Sequence, residues 1–217
     1  MSEQLLAQGH LKIKCKKNVQ SYRLVRKAEQ FPQDFCLTIT AQEEFTVLEI
    51  LGESNAPLHS TISKLEWIGT FPHIKKIFLA DIRLPSLTLD ITIFRALENV
   101  FLKNVCFQNM TLERFLCTLP HNLKNLSLIH SAPFAGEGAL FGAHLEQLDL
   151  SNNQLHHVPP WVETLTCLKR LTLDGNQLKS LPLYLKNLPR LNHLSLDDNP
   201  FSEETKGQIQ RDFNIWF

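Results

Sequence analysis

Residues Leu145–Cys167 read LEQLDLSNNQLHHVPPWVETLTC. The next 23 residues, Leu168–Arg190, read LKRLTLDGNQLKSLPLYLKNLPR, and Leu191 restarts with LNHLSLDDNPF. All three fit one frame, L-x-x-L-x-L-x-x-N-x-L. Leu145, Leu148, Leu150, Asn153 and Leu155 fill it first; Leu168, Leu171, Leu173, Asn176 and Leu178 fill it again. Leu191, Leu194, Leu196 and Asn199 open the third copy, which Phe201 closes. The L-x-L centre alternates with the period of a strand. A unit this short cannot bury its apolar face alone, so copies at a fixed period stack into a solenoid.

Upstream the frame continues with looser spelling. Its apolar positions are Leu123, Leu126 and Leu128; then Leu97, Val100 and Leu102; then Ile74, Ile77 and Leu79. Phe45, Leu48 and Ile50 supply a seventh unit, with 58–71 read as a long convex segment able to be helical. The Asn position becomes Ser131, Val105 and Ile82. The spelling of 145–201 resembles that of leucine-rich repeat proteins. The resemblance implies an α/β solenoid whose parallel strands line a curved horseshoe sheet. It also implies that Asn153, Asn176 and Asn199 hold the backbone of neighbouring turns. Strands are expected at 76–80, 99–103, 125–129, 147–151, 170–174 and 193–197.

Three regions follow. Residues 1–44 are read as a strand-rich N-terminal cap with a hairpin turning at Ala41–Glu44, lysines on its solvent face and Leu11, Ile13 and Cys15 inward. Residues 45–201 hold six to seven repeats, and 202–217 form a helical C-terminal cap. Ser202 suits an N-cap, and Glu203 and Glu204 suit the first helical turn. Ile209 and Phe213 are four apart and share a face, with Trp216 and Phe217 expected beside them.

Composition excludes several classes of function. Lys+Arg and Asp+Glu both number 22, so bulk charge favours neither nucleic acid nor an acidic membrane. The exception is Lys12–Lys27, with seven basic residues and no acidic one. Cys15, Cys36, Cys106, Cys117 and Cys167 sit singly among apolar residues, which reads as packed, reduced thiols in a cytoplasmic chain. The opening residues lack the apolar core of a secretory signal, and no run approaches a membrane span. Two glycosylation sequons, at Asn109 and Asn125, are therefore read as chance. No nucleophile elbow, phosphate loop, dinucleotide fingerprint or zinc-protease motif occurs, so no enzyme and no cofactor is expected. Adjacent His156 and His157 point opposite ways, and His130 and His193 lie two units apart, so no metal site is expected.

The outward positions between framework residues form columns across the sheet. One reads Lys75, Glu98, Lys124, Glu146, Lys169, Asn192, an alternation of charge that suits cross-strand pairing. A second reads Phe78, Phe101, Ser127, Asp149, Thr172, Ser195, and a third Ala80, Lys103, Ile129, Ser151, Asp174, Asp197, with Asp198 alongside. Phe78, Phe101 and Ile129 thus form an apolar part read as solvent-facing, and Asp149, Asp174, Asp197 and Asp198 an acidic part. An exposed aromatic cluster marks an interface unless the N-terminal segment covers it. The reading is a monomeric protein-binding module that takes a partner protein on its concave face. The resemblance extends to effectors that bacteria deliver into host cells and, alternatively, to substrate adaptors of ubiquitin ligases. A membrane-surface or nucleic-acid binder acting through Lys12–Lys27 is a further alternative.

Overall fold

The computed structural model describes residues 10–14, 21–25, 35–40, 46–51, 60–84, 93–107, 111–131 and 144–215. Strands come in the order β1 (His10–Lys14), β2 (Ser21–Val25), β3 (Phe35–Thr40), β4 (Val47–Leu51), β5 (Ser60–Ile68), β6 (Lys76–Leu84) and β7 (Asn99–Phe107). Helix α1 (Leu112–Leu116) precedes β8 (Asn125–Ile129), β9 (Gln147–Asp149), β10 (Arg170–Thr172) and β11 (His193–Ser195), and α2 (Glu203–Phe213) follows. Every pairing is parallel.

Two ladders run side by side. The concave ladder joins β2, β4, β6, β7, β8, β9, β10 and β11. The outer ladder joins β1, β3 and β5, then the far ends of β6 and β7 through Ser60↔Ile82 and Ile82↔Val105. β6 and β7 serve both ladders because each bends at one residue of positive φ, Asp81 (55°) and Asn104 (53°). The bend shifts the inward phase. Ile77 and Leu79 point into the core before it, Ile82 and Leu84 after it. The same position in later turns is again left-handed: His130, Asn152, Gly175 and Asp198. Asp, Asn and Gly tolerate that conformation best, so their recurrence is a readable signal.

The expected strands all lie in this concave sheet, although β9, β10 and β11 are three residues long rather than five. Two expectations fail. Residues 60–68 form strand β5 and not a helix, since STISKLEWI is rich in β-branched and aromatic residues and the outer ladder offers it partners. No hairpin joins 35–40 to 47–51. β3 pairs with β1 and β5, and β4 with β2 and β6, so the two belong to different ladders. Alternating apolar residues look the same in either arrangement. The turn Ala41–Glu44, the inward side of Leu11, Ile13 and Cys15, and Trp216 and Phe217 lie outside the described residues or side chains.

The core is a stack of framework residues: Leu145, Leu168, Leu171 and Leu173 are fully buried, as are their equivalents upstream, while Leu191 and Leu194 of the last turn are partly so. On the convex side Pro160–Thr164 and Leu183–Asn187 are short 3-10 helices. Trp161 and Leu185 are buried there, and Tyr184 donates its hydroxyl to Pro159 O at 3.1 Å. Burial pushes the Tyr184 phenol well above its ordinary pKa. Ser202 caps α2, its Oγ accepting from Thr205 N at 3.1 Å, and Ile209 is buried against the last turn. The cysteines depart from expectation. Cys167 is half-buried, with Arg190 Nη1 3.8 Å from its Sγ, but Cys106, on the outward phase of β7, and Cys117, in the turn after α1, are exposed.

Candidate functional site

The concave columns stand in the register read from the frame. Phe78 pairs with Phe101, Phe101 with Ser127, Ser127 with Asp149, and Thr172 with both Asp149 and Ser195. The ladder carries this column two strands further upstream, to Glu49 and then Arg23. The next column likewise extends from Ala80 to Leu51 and Val25. The strands before Phe78 therefore prolong the sheet beside the two rings.

Phe78 and Phe101 are half-buried, not freely exposed. Their ring centroids lie 6.3 Å apart at a 33° tilt, and Lys76 Nζ sits 4.7 Å from the Phe101 centroid. A cation over an aromatic face is attracted by the ring quadrupole. Ile129, also half-buried, pairs with exposed Lys103 on the neighbouring strand. The apolar part of the face is thus fringed by ammonium groups.

The four aspartates divide by role. Asp149 Oδ1 accepts from Ser151 N (3.0 Å) and Ser151 Oγ (2.6 Å), and its Oδ2 from Ser127 Oγ (3.3 Å). Asp174 Oδ1 accepts from Asp197 N at 2.9 Å, tying its turn to the next. These two carboxylates hold the backbone, a task that the column pattern gives no means of seeing. Asp197 and Asp198 are exposed, and their carboxylates accept no hydrogen bond among the described residues.

The charged column pairs as neighbours: Glu98 with Lys124 at 2.9 Å and Glu146 with Lys169 at 2.8 Å. The hydrogen bond to Glu98 raises the Lys124 pKa, and the hydrogen bond from Lys169 lowers that of Glu146. An amide row runs beside it. Asn125 Nδ2 donates to Asn99 Oδ1, and Asn99 Nδ2 donates to Lys75 O at 3.3 Å. Asn125 Oδ1 is buried without a partner beside Gln147, its register neighbour.

Behind the face, the framework asparagines do what the resemblance implied. Asn176 Oδ1 accepts from Asn153 N and Leu155 N, and its Nδ2 donates to Leu150 O and Leu173 O. Asn199 repeats three of these one turn later, accepting from Leu178 N and donating to Leu173 O and Leu196 O. Upstream, Ser131 takes a reduced part, donating its N–H to Asn153 Oδ1 and accepting from Val105 N at 3.4 Å. At Ile82 and Val105 the outer ladder replaces the side-chain bonds with backbone ones.

The seven positively charged residues of Lys12–Lys27 do not fall on one strand. Lys12 and Lys14 lie on β1 at the edge of the outer ladder, while Arg23 lies on β2 opposite Glu49.

A leucine-rich repeat family model matches residues 121–178 and 143–201. A search of the curated proteins finds no match. Among solved structures, human trophoblast glycoprotein (5T4, Wnt-activated inhibitory factor 1) is similar over 91% of this chain and 83% of its own, with 18% identity and a TM-score of 0.53. A leucine-rich repeat protein of Leptospira interrogans is 25% identical over 72% of this chain, with a TM-score of 0.42. The chain spans half the length of that bacterial protein. Such repeat domains generally mediate protein–protein interactions. The thrice-written frame, the asparagine-bonded turns and the parallel ladder make residues 121–201 leucine-rich repeats and give the chain a leucine-rich repeat solenoid fold.

Proposed function

We propose that the concave face binds a partner protein, with Phe78 and Phe101 as its apolar anchors. The observation that carries this reading is the ring pair itself. Two large side chains stand on the outward phase of adjacent strands, with Ile129 two strands from Phe78 and Lys76 and Lys103 at the margin. Aromatic residues ringed by polar groups are the usual form of an interface hot spot. Asp197 and Asp198 steer a basic region of the partner, and Asp149 and Asp174 shape the turns that present them. On this reading the chain is a binding module without catalysis, metal or cofactor. The exposed free thiols of Cys106 and Cys117 suit a reducing, cytoplasmic setting. The separation of Lys12 and Lys14 from Arg23 onto different ladders favours this reading over a single basic surface for lipid or nucleic acid.

The test is affinity capture from a eukaryotic lysate with the parent chain and with Phe78→Ala/Phe101→Ala, followed by mass spectrometry. A protein held by the parent and lost from the folded variant supports the reading, and its identity separates a host-directed effector from a ligase adaptor. Identical captures by both chains would overturn it.

A further inference from the structure

We infer that the open edge of β11 pairs with the same edge of a second copy of this chain, antiparallel about Ser195. β11 is the last strand, bordered only by β10 among the described residues. His193 N donates to Lys169 O at 3.1 Å, and Ser195 O accepts from Leu173 N at 2.9 Å, so residues 193 and 195 face β10. Strand alternation turns both backbone groups of Leu194 and the N–H of Leu196 the other way, Leu196 O being held by Asn199 Nδ2. In the two preceding turns the N–H equivalent to that of Leu196 is bonded: Leu150 N to Thr172 O and Leu173 N to Ser195 O, each at 2.9 Å. Leu196 N–H is next in that series and has no acceptor among the described residues.

The core beneath this edge is unfinished as well. Leu168 and Leu171 are fully buried, whereas Leu191 and Leu194, their equivalents, are only partly so. A cleft of about 700 Å³ opens over them and is bordered on the far side by Phe213 and Ile215. An edge with unpaired donors and acceptors is a template for another strand.

Charge selects the occupant. The beginning of the last two strands carries the positive charge of exposed Arg170 on its outward face, with exposed His193 beside it as a hydrogen-bond donor. Their far end is acidic, with Asp174, Asp197 and Asp198. An antiparallel copy reverses that polarity. Centred on Ser195, it sets His193 against Asp197 of the second copy on the outward face, twice over. On the core face it sets Leu194 against Leu196 of the second copy, the Leu196 N–H donating to Leu194 O while Leu196 O keeps its bond from Asn199 Nδ2. A register centred on Leu194 would oppose His193 to Ser195 and lose the His193–Asp197 match. Two-fold pairing of identical surfaces is the commonest route to a dimer. It joins two eight-strand concave faces into one surface and leaves Phe101, four strands from the edge, uncovered.

The test is sedimentation of the full chain over a range of concentrations, read against the chain mass of 24.9 kDa. A species of twice that mass is expected. Ser195 would face its own copy at roughly 4.5 Å between Cα atoms, within the span of a disulfide. Mild oxidation of Ser195→Cys should therefore give a linked dimer above the parent's background from Cys106 and Cys117, and Thr172→Cys, one strand inward, should not. Asp197→Arg should weaken the dimer about tenfold, since both His193–Asp197 contacts are lost per dimer. Adding Arg170→Glu and His193→Glu to that chain should restore it. A chain that stays monomeric at every concentration overturns the inference, whatever else covers its edge, and so does a dimer that Ser195→Cys fails to link.

Discussion

The backbone N–H of Asn153 ends on the side-chain oxygen of Asn176, 3.0 Å away and one turn later. The same oxygen takes the N–H of Leu155, so one amide satisfies two buried donors that no strand reaches. Asn176→Ala should therefore cost ~3–5 kcal/mol, because several buried groups lose their partners together. Asn199→Ala, at a half-buried site, should cost ~1–2 kcal/mol. Urea unfolding of both variants measures this, and equal losses would contradict it.

Glycine substitutions should split in sign. Gly175 has φ +63°, and a Cβ there would run into the Asn152 side chain, so Gly175→Ala should lose ~1–3 kcal/mol. Gly207 lies inside α2, with only the tip of Arg211 within reach of a new Cβ, at 3.5 Å. Gly207→Ala should gain ~0.5–1 kcal/mol. Thermal melts that move both variants the same way would refute this pairing.

Much of this was legible before any coordinates. The framework residues located the strands, and aligning them across units 22 to 26 residues apart gave the concave columns their register. What escaped was decided by contacts that one sequence window does not contain. The role of Asp149 depends on Ser127, one turn away, and that of Asp174 on a backbone N–H of the following turn. β5 looked free to be a helix because its partners, β3 and the end of β6, lie in a second ladder that no repeated leucine announces. The half-burial of Phe78 and Phe101 arises from each other and from Lys76, and a column of letters does not show depth.

Acid should act through the C-terminal helix. Hydrogen bonds from Lys186 and Gln208 hold the Asp212 carboxyl below its ordinary pKa. A carboxylate depressed in the folded state adds stability that is present above the unfolded value. That stability is lost as pH falls through the folded value. Asp212→Asn should lower stability slightly at neutral pH, the loss being small since the pair is solvent-screened, and should converge on the parent as pH falls, which flattens the acid limb. Added salt should shrink the difference. A variant that matches the parent at neutral pH and low salt, or that diverges from it further in acid, would count against this.

Removing 202–217 should make the chain aggregate. Ile209 is buried by the last turn, and at ~25 cal/mol per Å² its neighbours' uncovered apolar surface costs several kcal/mol, comparable to a domain's whole stability. Light scattering of the truncated chain is the measurement, and a clear solution with an unchanged melting temperature is the opposing result.

On the concave face, binding and folding should separate by residue. Phe78→Ala with Phe101→Ala should speed dissociation from a captured partner. Because the rings are half-buried against each other, the pair should also lower the melting temperature by roughly 4–12 °C, from about 2–3 kcal/mol. Asp198→Asn keeps a residue that tolerates φ +56° while removing a charge, so it should slow association at low ionic strength and leave the melt alone. Surface-plasmon kinetics at two salt concentrations decides this. An aspartate effect that grows with salt would exclude steering.

The two ways of joining neighbouring turns set different rules for how the molecule can lengthen or shorten. At Asn176 and Asn199 each turn hands its neighbour the same two amide bonds at the same offset, so the joint repeats by simple translation. A duplicate of 168–190 spliced in at this end meets the same donors and acceptors on both sides. Upstream of Ser131 each turn must match its neighbour twice, once on either side of a left-handed bend such as that at Asp81 or Asn104. A copied turn there fails unless both strands arrive in phase. Gain and loss of whole turns is therefore open at one end of this chain and closed at the other.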